Sequence, residues 1–521
     1  MKRILSLIMV GFVTFAATSC KKYLDINTNP NTATSSTPEL VLPQAITAIA
    51  SQTVEYNFYG SQVAGYIANG GGVAFSGPIL TYNYDATSQQ ALWNTSYDIA
   101  NDVEYIITST EGQPDLLYFN AAAKILKAFV FQRLVDQYND APYTDALKGA
   151  NNVTPKYDKA TDIYKSLGDL LDAGLTVFAT PTNPATSAAF IKADVMFGGD
   201  KTRWAKFANT LKLRMVLRAG NKVAFTKTTF DTAVGFLTED ATVNPGYTKV
   251  SGKQNPTWNR FAYTFANATV TLGGQYPPTP FVRAFYDGTK LTDVTRANLV
   301  YKVGVAAVTN QLGNTVQSAG RGAVPNSWFR GTSATAYESI GIFKGFDAAQ
   351  PVFLLADAYF LQAEANVRGI LTGDAQANFN SGIDASFRYL NKNAANAVTA
   401  GKAPATEGAA YRTANATKYL ANFALATTTE QKIEAIITQK YIALNFLFGD
   451  EAWNDYRRTG YPVSNSSPGA APAETIVSIA TESTAPDRLP ARLQYPDTEF
   501  KYNSANVPTI DKYTTKIFWA R

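Results

Sequence analysis

The chain has 521 residues, with 46 Lys plus Arg against 41 Asp plus Glu, one cysteine and no histidine. The missing histidine excludes Ser-His-Asp and Cys-His nucleophilic machinery, His-ligated zinc and a histidine general base in one step. The near balance of charge gives no concentrated basic face for nucleic acid, and the single cysteine leaves no disulfide in a chain long enough to bury its core without one.

Lys2 and Arg3 precede an uncharged, largely apolar run from Ile4 to Ala17, shorter than the roughly 20 residues of a membrane-spanning helix. Ala17, Thr18 and Ser19 then lead to Cys20. Residues 1–19 therefore read as a secretory signal, and Cys20 as the acylated first residue of a bacterial lipoprotein. Ser19 suits the usual lipobox, whereas Ala17 stands where Leu is commonest. The alternative is ordinary cleavage near Ala17, which leaves a free thiol that an oxidising compartment makes a liability. Without Lys2 and Arg3, 44 basic residues face 41 acidic ones, a net charge of +3. No later stretch approaches membrane-spanning length without charges, so the remainder reads as tethered rather than embedded.

Residues 20–37 carry the lipid and a tether rich in Asn, Thr, Ser and Pro. A single domain over 38–521 follows. Amphipathic helices are predicted over Leu40 to Tyr59, Leu92 to Thr108 and Asn120 to Gln137, the last stopped by Asn139-Asp140-Ala141-Pro142. Asp158 to Val177 and Thr202 to Ala219 are next, the latter with Trp204, Phe207, Leu211 and Met215 on one face. From about 240 to 350 the chain is rich in Gly, Asn, Pro, Thr and aromatics, with one brief helix near Pro280 to Tyr286. Helices resume at Pro351 to Arg368, closed by Gly369, with Gly373 to Leu390 as antiparallel partner. Thr428 to Phe448 carries a capping box from Thr428 and Gln431. Paired helices with Ala-rich faces, such as Ala123 and Ala128, give a mainly α fold with a large loop-rich, irregular insert.

Several strings recur in one order. They are DINTNPN (Asp25 to Asn31), DAPYTD (Asp140 to Asp145), GGDKTRWAKFANTLKLRMVLR ending at Arg218, Leu355 to Gly369 and GIDASFRY (Gly382 to Tyr389). QKYIALNFLFGDEAWNDYRRTGYP (Gln439 to Pro462) and RLPARLQYPDTEFKYN (Arg488 to Asn503) complete the set. By these the chain resembles the SusD/RagB family of outer-membrane lipoproteins of Bacteroidetes, in its SusD-like branch. The resemblance implies tetratricopeptide-like helix pairs in a right-handed superhelix. It also implies an extracellular partner of a SusC-like TonB-dependent transporter that delivers a nutrient, an oligosaccharide in most branches and a peptide in some. Lys21 and Lys22 depart from the acidic residues that often follow the lipid site, so outward orientation rests on the family.

Sugar rings offer apolar C–H faces and a rim of hydroxyls, so a site for them needs aromatic platforms edged by amides, carboxylates and guanidinium groups. The region 240–350 supplies Trp258, Asn259, Arg260, Phe261, Tyr263, Tyr276, Asn326, Trp328, Phe329, Arg330 and Tyr337; Tyr82, Asn83, Tyr84 and Asp85 form a second cluster after Gly70-Gly71-Gly72. The platforms expected to bind ligand are Tyr82, Tyr84, Trp258, Phe261, Tyr263, Tyr276, Trp328, Phe329 and Tyr337, with core packing the competing role for each. Trp204 and Trp453 read as core. Arg214, Arg218 and Arg457-Arg458 read as cations near helix C-termini that hydrogen-bond the last carbonyls, with an anionic ligand as the alternative for Arg457-Arg458. Glycoside hydrolysis survives the lack of histidine, with Asp136–Asp140 and Asp450–Glu451 as carboxylate pairs. Capture without catalysis is the favoured reading, against a surface glycosidase and a ligand-free structural subunit. No cofactor is implied, and a calcium site, if built of loop Asp residues, has no recognisable ligand set.

Overall fold

The computed structural model describes residues 36–70, 77–270, 272, 276–316, 328, 333–337 and 339–521. Cys20, the signal segment and most of the tether lie outside them, as does Phe329. None of the described helices is long and apolar enough to cross a membrane.

Helix α1 (Pro38–Val63) begins with Pro at its first turn, where the missing N–H costs nothing. Four more long helices build the described N-terminal half: α2 (Gln90–Thr110), α3 (Leu117–Tyr138), α4 (Ala160–Ala179) and α5 (Lys201–Ala219). Each packs on its predecessor, α1 on α2, α2 on α3, α3 on α4 and α4 on α5. Asp200 caps α5 by accepting from the amides of Thr202 and Arg203, 2.8 and 3.1 Å away. Trp204 is core as expected: it stacks on Phe178 with centroids 5.6 Å apart, and its indole N–H donates to Asp194.

The loop-rich segment includes short helices, among them α6 (Pro256–Phe261), which packs on α1. Helices α7 (Leu355–Val367) and α8 (Ala375–Asn391) then form the expected antiparallel pair, and Gly369 follows with φ +71°. α9 (Thr429–Ala443) packs on α7, and α10 (Gly449–Thr459) packs on α1. The whole is mainly α, in the tetratricopeptide-like arrangement of paired helices. Among the described residues the sheet content is small: β1 (Ala141–Pro142) pairs antiparallel with β2 (Tyr157–Asp158), and β3 (Ala241–Val243) with β4 (Gln350–Phe353).

Two sequence expectations change. Pro351 to Phe353 belong to β4 rather than to the helix after them, because β3 offers a partner more than 100 residues away. The predicted helix from Thr428 has its capping box but stops at Ala443, since Phe446 takes φ +54°, and the chain restarts as α10. That restart lets α10 lie against α1 at close range. A β-carbon on Gly60 would sit 1.9 Å from the Asp450 nitrogen, and one on Gly449 2.2 Å from that of Ser61. Only glycine fits at either position.

A column of buried ion pairs joins the helices. Arg133 of α3 meets Asp450 of α10 at 2.9 Å, and Arg214 of α5 meets Glu451 at 3.3 Å. Arg218 binds both Asp136 and Glu451. Lys440 of α9 bridges Asp357 of α7 and Asp455 of α10 at 2.7 and 2.9 Å, and Arg458 bonds Glu364 and Asp455. Such pairs add little net stability over an apolar core, but removing one partner strands a charge, so they hold the helices in one register. Arg214 and Arg218 thus serve carboxylates of other helices, and Arg458 serves Glu364 of α7 and Asp455 of its own helix, rather than the carbonyls at their helix ends.

Candidate functional site

Among the described residues, the aromatics expected to bind ligand face inward, Tyr337 apart. Tyr82 is buried and donates to the Ile476 carbonyl at 3.0 Å. Tyr84 is buried with its edge on Tyr59 and its hydroxyl toward Gln62. Phe58 of α1 packs on Phe261 and Tyr276, with centroids 5.8 and 4.9 Å apart. Trp328 stacks on Phe446 at 4.1 Å and donates to the Tyr276 carbonyl. Trp258 retains 2% exposure, held between Tyr263 and Tyr337 at 5.5 and 4.7 Å. Tyr82, Tyr84, Trp258, Phe261, Tyr263, Tyr276 and Trp328 are therefore not open platforms; of the described members only Tyr337 is half-buried rather than buried.

The physical reason is the loop-rich segment itself. Long irregular chain has few apolar residues to anchor it, so each large ring is drawn into the core. In α6, Trp258 and Phe261 stand three apart and share the inward face, which turns Asn259 and Arg260 outward. The polar members of that motif, rather than its rings, line open space.

That space is a cleft of about 420 Å3 between α1 and α6, lined by Glu55, Gln254, Asn259 and Arg260 beside Val54 and Val270. Arg260 pairs with Glu55 at 2.9 Å, and its guanidinium lies 5.1 Å from the Phe58 ring centroid. Burial pushes the Glu55 carboxyl above its ordinary range, and Arg260 opposes the shift. Gln254 is only 4% exposed, yet among the described residues neither its amide nitrogen nor its oxygen has a hydrogen-bond partner. The Arg260 Nε also lacks one. Buried polar atoms without partners are costly, and a ligand that supplies both a donor and an acceptor removes that cost.

A second cleft of about 650 Å3 is lined by Asn244, Ser339, Asp347, Asn393, Thr399 and Lys402, with Ile340 as its apolar floor. Tyr337 lies near its Asp347: the Tyr337 hydroxyl and the Asp347 carboxylate would lie 3.1 and 3.0 Å from a β-carbon on Gly345. Burial and the nearby Asp347 raise the Tyr337 phenol, which stays neutral and able to donate. Both clefts fall within the usual range of ligand sites, and their hydroxyls, amides and charges match a polyhydroxylated ligand better than an apolar one. Asn259 and Arg260 were legible in the sequence as neighbours of aromatics. Glu55, Gln254, Asn393, Thr399 and Lys402 were not, since no local pattern marks them.

The carboxylate pairs that a glycosidase would need are committed elsewhere. Asp136 accepts from Arg218, Tyr164 and the Trp519 indole, while Asp140 accepts from Lys159 and the Ala160 amide. Burial raises the Asp450 carboxyl more than Arg133 lowers it. Burial also acts on Glu451, but Arg214, Arg218 and Lys440 override it and hold that carboxyl far below the usual range. Asp136, Asp450 and Glu451 are all buried, out of reach of a glycosidic bond. Among the described residues no group of three or more Asp, Glu or Cys is placed to hold a metal ion.

A sequence model of the SusD-like proteins, described as starch-binding and associating with the outer membrane, matches residues 30–496. Among solved structures, a SusD/RagB family protein of Bacteroides thetaiotaomicron superposes with a TM-score of 0.68 at 18% identity, over 93% of this chain and 99% of its own. A SusD homologue of Bacteroides uniformis gives 0.66 at 22% identity, over 92% and 99%. A chitin-binding SusD homologue of Flavobacterium johnsoniae gives 0.67 at 20% identity, over 92% and 98%. No curated protein matches the chain. At such identities the structural likeness speaks for the fold.

Proposed function

The chain belongs to the SusD-like family of outer-membrane nutrient-binding proteins, and from that premise we propose that it captures an oligosaccharide at the cell surface and delivers it to a SusC-like TonB-dependent transporter. The family match across residues 30–496 carries the reading. The chitin-binding relative and the two polar clefts support a glycan as the nutrient.

Binding is at equilibrium, without bond cleavage. In the cleft between α1 and α6, Glu55 accepts from a sugar hydroxyl, Arg260 donates to one, and the Gln254 amide does both. In the second cleft, Asp347, Asn393, Thr399 and Lys402 serve further hydroxyls. A lipid on Cys20 holds the protein to the outer membrane, facing outward.

Titration calorimetry of the purified protein against malto-oligosaccharides, chito-oligosaccharides and a peptide panel tests the reading. Saturable binding of a glycan that weakens in Arg260→Gln is expected. Binding of peptides and of no glycan rejects the glycan reading; cleavage products would reject capture without catalysis.

A further inference from the structure

A cavity of about 460 Å3 opens at the C-terminal end of α10, apart from the two clefts and sharing no residue with them. Tyr456, Leu489, Pro490 and Tyr513 form apolar walls. The Tyr513 hydroxyl is buried and has no hydrogen-bond partner among the described residues.

The charge of this cavity is lopsided. Arg457, Lys516 and Arg521 line it, and Asp487 is the one acidic side chain among its lining residues. Arg457 differs from its neighbour Arg458, which is neutralised by Glu364 and Asp455. Its Nη1 donates to the Ala491 carbonyl at 3.0 Å, and its Nη2 to the Asp136 carbonyl, Gln137 and Asn454, all of them uncharged acceptors. Its Nε has no partner, and among the described residues no carboxylate lies within ion-pair distance of it. The residue is 6% exposed, its guanidinium 5.4 Å from the ring centroid of Trp453 and 5.0 Å from that of Trp519. Burial pulls its pKa down to about 10, so it remains a cation at neutral pH. A buried cation without a counter-charge is costly, and an anion in the adjoining cavity relieves it.

The rim is preorganised for the same charge. The Arg521 guanidinium lies 5.7 Å from the Tyr456 ring centroid and packs against the α-carbon of Gly460, whose φ is +84°. A β-carbon there would lie 2.3 Å from an Arg521 nitrogen, so Arg521 keeps this position only beside glycine.

We infer that this cavity binds a small ring-bearing carboxylate, its carboxylate at Lys516 and Arg521 and its ring against Tyr456 and Tyr513. An acidic sugar and an aromatic acid share that chemistry, and the test separates them. The inference does not rest on the nutrient clefts.

The full-length protein is titrated with sodium glucuronate, sodium benzoate and glucose, read by tryptophan fluorescence, since Trp453 and Trp519 flank Arg457. One of the two acids is expected to saturate and glucose is not; the tighter acid identifies the source. Affinity falls about tenfold in roughly 0.5 M salt and about tenfold again in Lys516→Gln with Arg521→Gln, each having removed a charge-assisted contact. Arg260→Gln leaves it unchanged, whatever that variant does to oligosaccharide binding. The inference is overturned if neither acid saturates, if glucose binds equally, if the double variant binds as wild type, or if Arg260→Gln abolishes the signal.

Discussion

Trp258 and Arg260 stand two residues apart in α6, and the structure assigns them opposite roles. Trp258 is 2% exposed, so Trp258→Ala removes a side chain buried on every side. A tryptophan buries about 150–250 Å2, which at about 25 cal/mol/Å2 bounds the loss near 4–6 kcal/mol. Part of that area stays covered by the remaining β-carbon and by relaxation, which brings the cost to about 3–5 kcal/mol. With roughly 2.1 cal/mol/K of unfolding entropy per residue, a domain of this length shifts its midpoint by about 1 °C per kcal/mol. The expected drop is therefore about 3–5 °C, and Trp258→Phe drops less. Arg260→Gln removes an ion pair whose side chains are 31% and 39% exposed, worth under about 1 kcal/mol to stability. It also removes a charged donor to the ligand, worth about 1.5–3 kcal/mol, or roughly ten- to a hundredfold in affinity. Differential scanning calorimetry and glycan titration at 20 °C on the three variants separate the roles. Loss of binding in Trp258→Phe with an unchanged midpoint would refute the reasoning, because it would make the ring itself the platform.

Three further outcomes follow from the buried charges. Glu451→Ala strands Arg214, leaves Arg218 with Asp136 alone, and is expected to cost about 3–5 kcal/mol, read as a midpoint lowered by several degrees; an unchanged midpoint would show that the column is not what registers the helices. Burial pushes the Glu364 carboxyl up, but Arg458 and Arg368 override it and hold it at about 2 against an ordinary 4.5. Stability from this group is complete above pH 4.5 and is lost as pH falls toward 2, about 3 kcal/mol in all. Chemical denaturation of Glu364→Gln between pH 7 and pH 2 should show its deficit against wild type shrinking over that window. Burial lowers the Lys344 amine from 10.5 to about 7, where it donates to the carbonyls of Tyr389 and Lys392. Between pH 7 and 10 the unfolded chain holds a proton that the folded chain has released, so stability rises with pH there. Lys344→Met should flatten that rise; an unaltered slope would mean that the amine stays charged.

What could be read from the sequence was what depends on near neighbours. Helical spacing placed α1 to α5, α7 and α8 within a few residues, and Thr428 with Gln431 marked the start of α9 correctly. The end of α9 was hidden, because the stripe through Leu444 and Phe448 stays buried after the helix has turned at Phe446. The side chain of Phe446 shows why the site was misjudged. It stacks on Trp328 and packs on Phe261, partners 118 and 185 residues back in the chain, and no local pattern shows that they meet. Composition drew attention to the rings of the 258–263 motif, whereas a six-residue helix buries Trp258 and Phe261 and presents Asn259 and Arg260. The ion-pair column was invisible for a similar reason: Arg133 and Asp450 are 317 residues apart. Carboxylates that looked like a catalytic pair in sequence are, in the fold, the counter-charges of buried arginines.

Calorimetric titration of the wild-type protein with chito- and malto-oligosaccharides of increasing length tests the central claim most directly. The account predicts saturable, enthalpically favourable binding of a glycan with the glycan recovered intact, and affinity that rises with length until the clefts are filled. Binding of peptides with no response to any glycan would contradict it.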